Sequence, residues 1–267
     1  MLVAGLAARP AAAQDVPRPP AALATADLLP PSTTSRPAAQ PTADADLSSG
    51  RSWKQLFDNV LRDQKDVVHF PQHVNGHWTP FLTLAGTTAG LVALDPLDAP
   101  KFRTTAFHRF NAIASGRNTA LAMAAVPAVF YLLRARAHDS YDKETVFLAA
   151  EAVADVQITT FVAKMIDRRL RPSDVAPTGD YDDTWFRAGI GDGKSFPSGH
   201  TSTAFALAEV FVKRYPRHRW VPWVAYGLAA TVGFSRLTLQ AHFPSDVFAG
   251  GALGIVMTDG LVLNRPR

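Results

Sequence analysis

Six apolar stretches, at about residues 79–97, 118–133, 144–163, 200–212, 220–239 and 246–263, dominate what this chain must bury. Alanine, leucine and valine make up most of them, and little of the sequence alternates with the two-residue period of a half-exposed strand. Six such stretches in succession predict an all-α, six-helix bundle. No internal repeat and no separate second domain is evident, so residues 79–267 read as one domain.

Whether these helices span a membrane turns on length and charge. A span needs about 20 apolar residues with few charges, and several stretches fall short. Glu151 and Asp155 sit in the third, Glu209 in the fourth and Asp259 near the end of the sixth. In lipid such residues are costly unless they face the bundle interior. Basic clusters follow the second stretch (Arg134, Arg136, Lys143), the fourth (Lys213, Arg214, Arg217, Arg219) and the sixth (Arg265, Arg267). In a six-span arrangement these share one side, as the positive-inside rule asks. Lys101, Arg103, Arg109 and Arg117 lie on the other.

Ahead of the bundle, residues 1–13 resemble the end of a secretory signal peptide with cleavage after Ala13, which points to export. Residues 14–50 are rich in Pro, Ala, Ser and Thr and are expected to be a disordered linker. Residues 51–78 hold an amphipathic helix and a connection. Trp53, Leu56, Phe57, Val60 and Leu61 fall at helical spacing, and a helix capping the core is favoured over one lying on a membrane surface. A cleaved leader would start the mature chain outside, and six spans would then place the chemistry inside. An outside site requires an uncleaved N-terminus, fewer spans, or a bundle that does not cross.

Composition removes several functions. There are no cysteines, which excludes disulfides, thiolate metal sites and cysteine catalysis. A formal net charge of +4 suits anionic substrates or an anionic membrane surface but is too small and dispersed for nucleic acid. His69, His73 and His77 are spaced by four, as metal ligands on a helix would be, but Pro71 and Gly76 argue against a regular helix, so no metal is expected there. Asp180, Asp182 and Asp183 read as a solvated loop.

Three polar clusters carry the chemistry. In the first, Lys164 and Arg171-Pro172 close the third stretch; a spacing of seven puts both cations on one helical face, with the helix ending near Arg171 because Pro172 disfavours helical geometry before it. A lysine and an arginine converging on one point suit a phosphate. In the second, Pro197-Ser198-Gly199-His200 opens the fourth stretch, where free backbone N–H groups form an anion site. The third is Ser235-Arg236, then His242, then Asp246, with Ser245 as an N-cap. A carboxylate near an imidazole fixes its tautomer and stabilises its cation.

In order and internal spacing the clusters match Lys-x6-Arg-Pro, Pro-Ser-Gly-His and Ser-Arg-x5-His-x3-Asp, and over roughly residues 79–263 the chain resembles the type 2 phosphatidic acid phosphatase (PAP2) and vanadium haloperoxidase superfamily. The resemblance implies a PAP2-like bundle with His242 as the nucleophile that forms a phosphohistidine. It implies Asp246 as the orienting partner of His242 and His200 as the general acid that later activates water. Lys164, Arg171, Ser198, Gly199 and Arg236 would cradle the phosphate. The implied substrate is a phosphate monoester or pyrophosphate, of a lipid or another small molecule, hydrolysed by a membrane-associated envelope enzyme with an extracytoplasmic active site. No cofactor is implied, although vanadate fits the same cradle. A soluble envelope acid phosphatase and a vanadium-dependent haloperoxidase are the alternatives.

Overall fold

Each of the six apolar stretches is a helix. A computed structural model describes residues 53–73, 78–135, 140–189, 192 and 194–264. The leader and linker expected over residues 1–50 lie outside the described residues, as do Arg136, His77 and the terminal arginines. The helices are α1 (Trp53–His73), α2 (Thr79–Asp98), α3 (His108–Ile113), α4 (Gly116–Ala135), α5 (Ser140–Asp167), α6 (Gly199–Arg214), α7 (Val221–Thr238) and α8 (Pro244–Met257). Short 3-10 turns cover Ala99–Phe102 and Pro172–Asp174, and α8 runs on into a π-helical turn over Thr258–Leu263. The architecture is all-α, with eight α-helices among the described residues rather than six. The additions are α1, read from the sequence as a separate element, and α3, whose six residues are too few for a periodic signal.

Helix α6 is the centre, packed against α5, α7 and α8, while α1 lies on α5 and α2 on α8. Small side chains permit this. Ala149, Ala152 and Val156 of α5 meet Ala206 and Val210 of α6, all fully buried. Of the four charges that would be costly in lipid, Glu151, Asp155 and Glu209 are buried and Asp259 is half-buried. Asn59 and Gln64 of α1 donate to Glu151 Oε2 (3.2 Å) and Asp155 Oδ1 (3.0 Å). Helix α1 therefore docks partly through polar groups, and Phe57 and Leu61 of its expected apolar face are exposed. It also runs through Pro71 to His73, contrary to the break expected there, since a proline can bend a helix without ending it.

Among the described residues, three segments are long and apolar enough to cross a membrane: Thr79–Phe102, Ser140–Asp174 and Pro244–Leu263. Large apolar side chains stay exposed on the outer helices, among them Leu82 and Leu97 on α2, Leu132 and Leu133 on α4, and Trp223 and Leu228 on α7.

Candidate active site

Helix α5 stops at Asp167, four residues before Arg171. Arg168 adopts a left-handed φ of 48°, and the chain then turns away. Lys164 and Arg171 consequently do not share a helical face, as their spacing implied. Arg171 is extended (φ −82°, ψ 157°), the geometry that Pro172 imposes, and reaches the site from the loop. The Lys164 ammonium donates to the carbonyls of Lys194 (2.8 Å) and Ser195 (3.1 Å), tying α5 to the approach to α6. Asp182 N donates to Asp180 Oδ1 and Asp183 pairs with Arg187, so the acidic run is occupied within its own exposed loop.

Ser198 is the N-cap of α6 and is fully buried, its Oγ accepting from Thr201 N (3.4 Å) and Thr201 Oγ1 (2.8 Å). The hydroxyl expected to meet phosphate thus caps the helix instead. A Cβ on Gly199 would meet Gln157 and Thr160 only at 3.6–3.7 Å, ordinary contact, so packing does not demand glycine there. His200 is half-buried, with Nε2 3.1 Å from the Gly116 carbonyl oxygen. Burial lowers its pKa, the Arg236 cation lowers it further, and the Gly116 hydrogen bond opposes both.

Helix α8 starts from Phe243 as N-cap, with Pro244 next; Ser245, expected as the cap, lies in the first turn with Asp246. Asp246 is fully buried. Its Oδ2 accepts from Phe243 N (2.8 Å) and Ser195 Oγ (2.5 Å), and its Oδ1 from Arg169 Nη1 (2.6 Å). His242 is 4% exposed. Its Nδ1 lies 3.6 Å from Asp246 Oδ2 and has no hydrogen-bond partner. That gap is about 0.5 Å beyond bonding range, the kind that closes when a site fills. Facing Asp246 with Nδ1 turns Nε2 the other way.

Burial pushes the His242 imidazole down to about 4, outweighing the nearby Asp246 carboxylate. The native state therefore binds this proton less readily than the unfolded chain. Its penalty is absent above the ordinary histidine value and grows as pH falls from about 6.5 to 4, reaching about 3 kcal/mol. Melting temperature should drop over that window in the wild type and less in His242→Gln, measured by thermal unfolding in detergent at pH 7, 5.5 and 4.5. Equal drops in both chains would place the titration elsewhere.

One cavity of about 880 Å³ gathers Lys164, Arg171, Gly199, His200 and His242. Lys194, Gln157 and Thr203, which the sequence reading missed, line it too. Arg171 Nε is buried there without a partner. Ser198, Arg236 and Asp246 are not among its lining residues. Arg236 Nη2 instead bonds Ala114 O (2.6 Å), Thr119 Oγ1 (3.0 Å) and Ser235 Oγ (2.8 Å), locking α7 to the turn before α4. Nη1 approaches His200: a Cβ on Gly116 would stand 3.4 Å from it and 3.9 Å from His200 Nε2. The remaining lining comes from α4 and α5, including Ala120, Met123, Pro127, Val146 and Val153.

The all-α bundle thus gathers His242, backed by Asp246, with His200, Lys164 and Arg171 around one cavity. The PAP2 superfamily model matches residues 145–265, just under half of the chain, from within α5 to the end of the described residues. A lipid A 1-phosphatase from Rhizobium etli is 34% identical over 111 residues, 40% of this chain and 46% of the relative. A lipid A 4'-phosphatase from Porphyromonas gingivalis is 31% identical over 120 residues, 43% of this chain and 50% of the relative. A lipid A 1-phosphatase from the same species is 44% identical over 64 residues, 24% of this chain and 14% of the relative. The matched stretch thus spans half or less of each of these relatives. Among solved structures, a transmembrane PAP2 type phosphatidylglycerolphosphate phosphatase from Bacillus subtilis matches with a TM-score of 0.40 at 18% identity, covering 77% of this chain and 92% of that one.

Proposed function

We propose that the chain is a membrane-associated phosphatase that removes a phosphate monoester or pyrophosphate from a lipid, with its site on the extracytoplasmic side. The observation that carries this reading is the cavity, which joins cations and two histidines to an apolar wall in one space. Val146 and Lys164 lie eighteen residues apart on α5, about 27 Å along the helix, and both line the cavity. A headgroup phosphate held by Lys164 and Arg171 would leave its acyl chains along α4 and α5. The exposed apolar side chains of the outer helices and the three membrane-length segments favour a membrane as the source of substrate. The names of the relatives make lipid A the first substrate to try.

In this reading His242 Nε2 attacks phosphorus while His200 gives a proton to the departing oxygen. The P–O bond breaks as the N–P bond forms. Water, deprotonated by His200, then displaces phosphate from His242. Asp246 holds the positive charge that the phosphorylated ring acquires. Lys164 and Arg171 stabilise the equatorial oxygens, and Gly199, which packing does not require, leaves room for them at the start of α6. His200 must be protonated for its first role, against its lowered pKa, and the phosphate dianion beside it supplies the field that does so.

The test is inorganic phosphate release by purified protein in mixed micelles of lipid A, phosphatidic acid or an isoprenoid pyrophosphate, alongside p-nitrophenyl phosphate as a soluble monoester. At least one lipid should be turned over well ahead of the soluble ester. Equal rates would remove the lipid from the proposal, and no release from any would remove the phosphatase.

A further inference from the structure

Arg169 is 1% exposed and lies between the signature residues Lys164 and Arg171, yet belongs to neither end of that motif. Its guanidinium is spoken for on every side. Nη1 donates to Asp246 Oδ1 (2.6 Å) and Ser245 Oγ (2.8 Å), Nη2 to Asp95 Oδ2 (2.7 Å) and Nε to Thr184 Oγ1 (3.3 Å). The rings of Phe243 and Trp185 lie 4.0 and 4.4 Å from its central carbon. Asp95, fully buried near the end of α2, also accepts from Ser245 N (3.1 Å) and from Ser245 Oγ. The first turn of α8 is therefore gripped from two directions, by α2 and by the loop after α5.

We propose that Asp95 and Arg169 are positioning residues for catalysis: they fix the plane of the Asp246 carboxylate so that Oδ2 faces His242 Nδ1. The proposal rests on the phosphatase reading above. Asp246 Oδ1 is consumed by Arg169, and Oδ2 is the oxygen turned toward His242. Because Arg169 divides its charge between two carboxylates, Asp246 is only partly neutralised. One negative charge remains over Asp95, Arg169 and Asp246 to meet the cation that forms on His242 when phosphorus is attacked. A buried ion pair of this kind is poor value for stability alone, since apolar side chains of like volume serve as well. Asp95 also lies outside the stretch matched by the family model, in a helix otherwise apolar enough to cross a membrane. A carboxylate in such a helix marks a working site.

The experiment compares wild type, Asp95→Asn, Ser245→Ala, Arg169→Lys and Arg169→Gln as full chains in detergent, on whichever lipid substrate the wild type turns over. Wild-type turnover that His242→Ala abolishes establishes the parent reading first, so its failure is seen separately. Asp95→Asn should lower kcat roughly 100-fold, the size of a small misplacement of reacting groups, with KM unchanged. Arg169→Lys should retain more kcat than Arg169→Gln. Ser245→Ala removes one hydroxyl and no charge, so it reports even if the charge variants do not fold; its kcat should fall with KM unchanged. Wild-type kcat in both Asp95→Asn and Ser245→Ala, a parallel rise in KM, or no advantage of lysine over glutamine at 169 would overturn the proposal.

Discussion

A His242→Ala chain is expected to release phosphate on the order of 10⁶-fold more slowly than the wild type, the loss seen when a covalent nucleophile is removed. His200, the other histidine lining the cavity, already bonds the Gly116 carbonyl through Nε2. Lys164 spends hydrogen bonds on the Lys194 and Ser195 carbonyls. His242 stands 3.6 Å from Asp246 Oδ2, a carboxylate placed to carry the charge that a phosphorylated imidazole acquires. His242 is also kept neutral by burial through the whole neutral range, so its lone pair is available without a base to free it. The check is a phosphate-release assay together with acid-labile labelling of the protein by a radioactive lipid phosphate. Wild type should take up label and the variant none. Turnover of the variant within tenfold of wild type would mean water attacks directly and no phosphohistidine forms.

The sequence was most informative where chemistry is local. All six apolar stretches became helices, with ends displaced by a few residues, because length and lack of alternation are properties of the segment itself. The three polar clusters could be read for the same reason, and the structure brings Lys164, Arg171, Gly199, His200 and His242 to one cavity. What spacing could not reveal was how Lys164 and Arg171 converge. The left-handed turn at Arg168 does that work, not a shared helical face. Nor could it separate residues that line the cavity from Ser198 and Arg236, which stand behind it, since that depends on which hydrogen bonds the folded neighbours offer. Gly116, Asp95 and Arg169 went unread because the partners that tie them to the site lie far along the chain: 84 residues from Gly116 to His200, 74 from Asp95 to Arg169, 77 from Arg169 to Asp246 and 150 from Asp95 to Ser245. Asp95 did leave a trace: a lone carboxylate within the 79–97 stretch, which is the sort of anomaly that asks for a buried partner.

The second large effect should come from a methyl group placed nowhere near a reacting atom. Helices α6 and α8 carry one histidine each, or its flank: Ser198 to His200 open α6, and His242 to Asp246 open α8. Ser198 N donates to the Asp246 carbonyl at 3.0 Å, so the two openings are joined backbone to backbone. Glycines hold that spacing. A Cβ on Gly250 would stand 2.6 Å from Ser198 O and 3.2 Å from Ser198 N, and one on Gly254 would press on the Ser202 carbonyl and lie 3.0 Å from Ala206 N. Main chain cannot yield as a flexible side chain can, and close helix approach in a membrane depends on such small residues. Gly250→Ala is thus expected to cost about 3 kcal/mol of stability by overpacking. By moving His242 relative to His200 it should also lower kcat roughly 100-fold. Gly86→Ala and Gly90→Ala on α2, where an added Cβ meets nothing within 4 Å, are the controls. They should be neutral or stabilising by about 0.5–1 kcal/mol, since alanine favours a helix over glycine. Melting temperature and kcat measured on all three variants decide it. If Gly250→Ala keeps wild-type turnover, the distance between the two histidines is set by something other than the contact between α6 and α8, and the Arg169 clamp at the start of α8 becomes the stronger candidate.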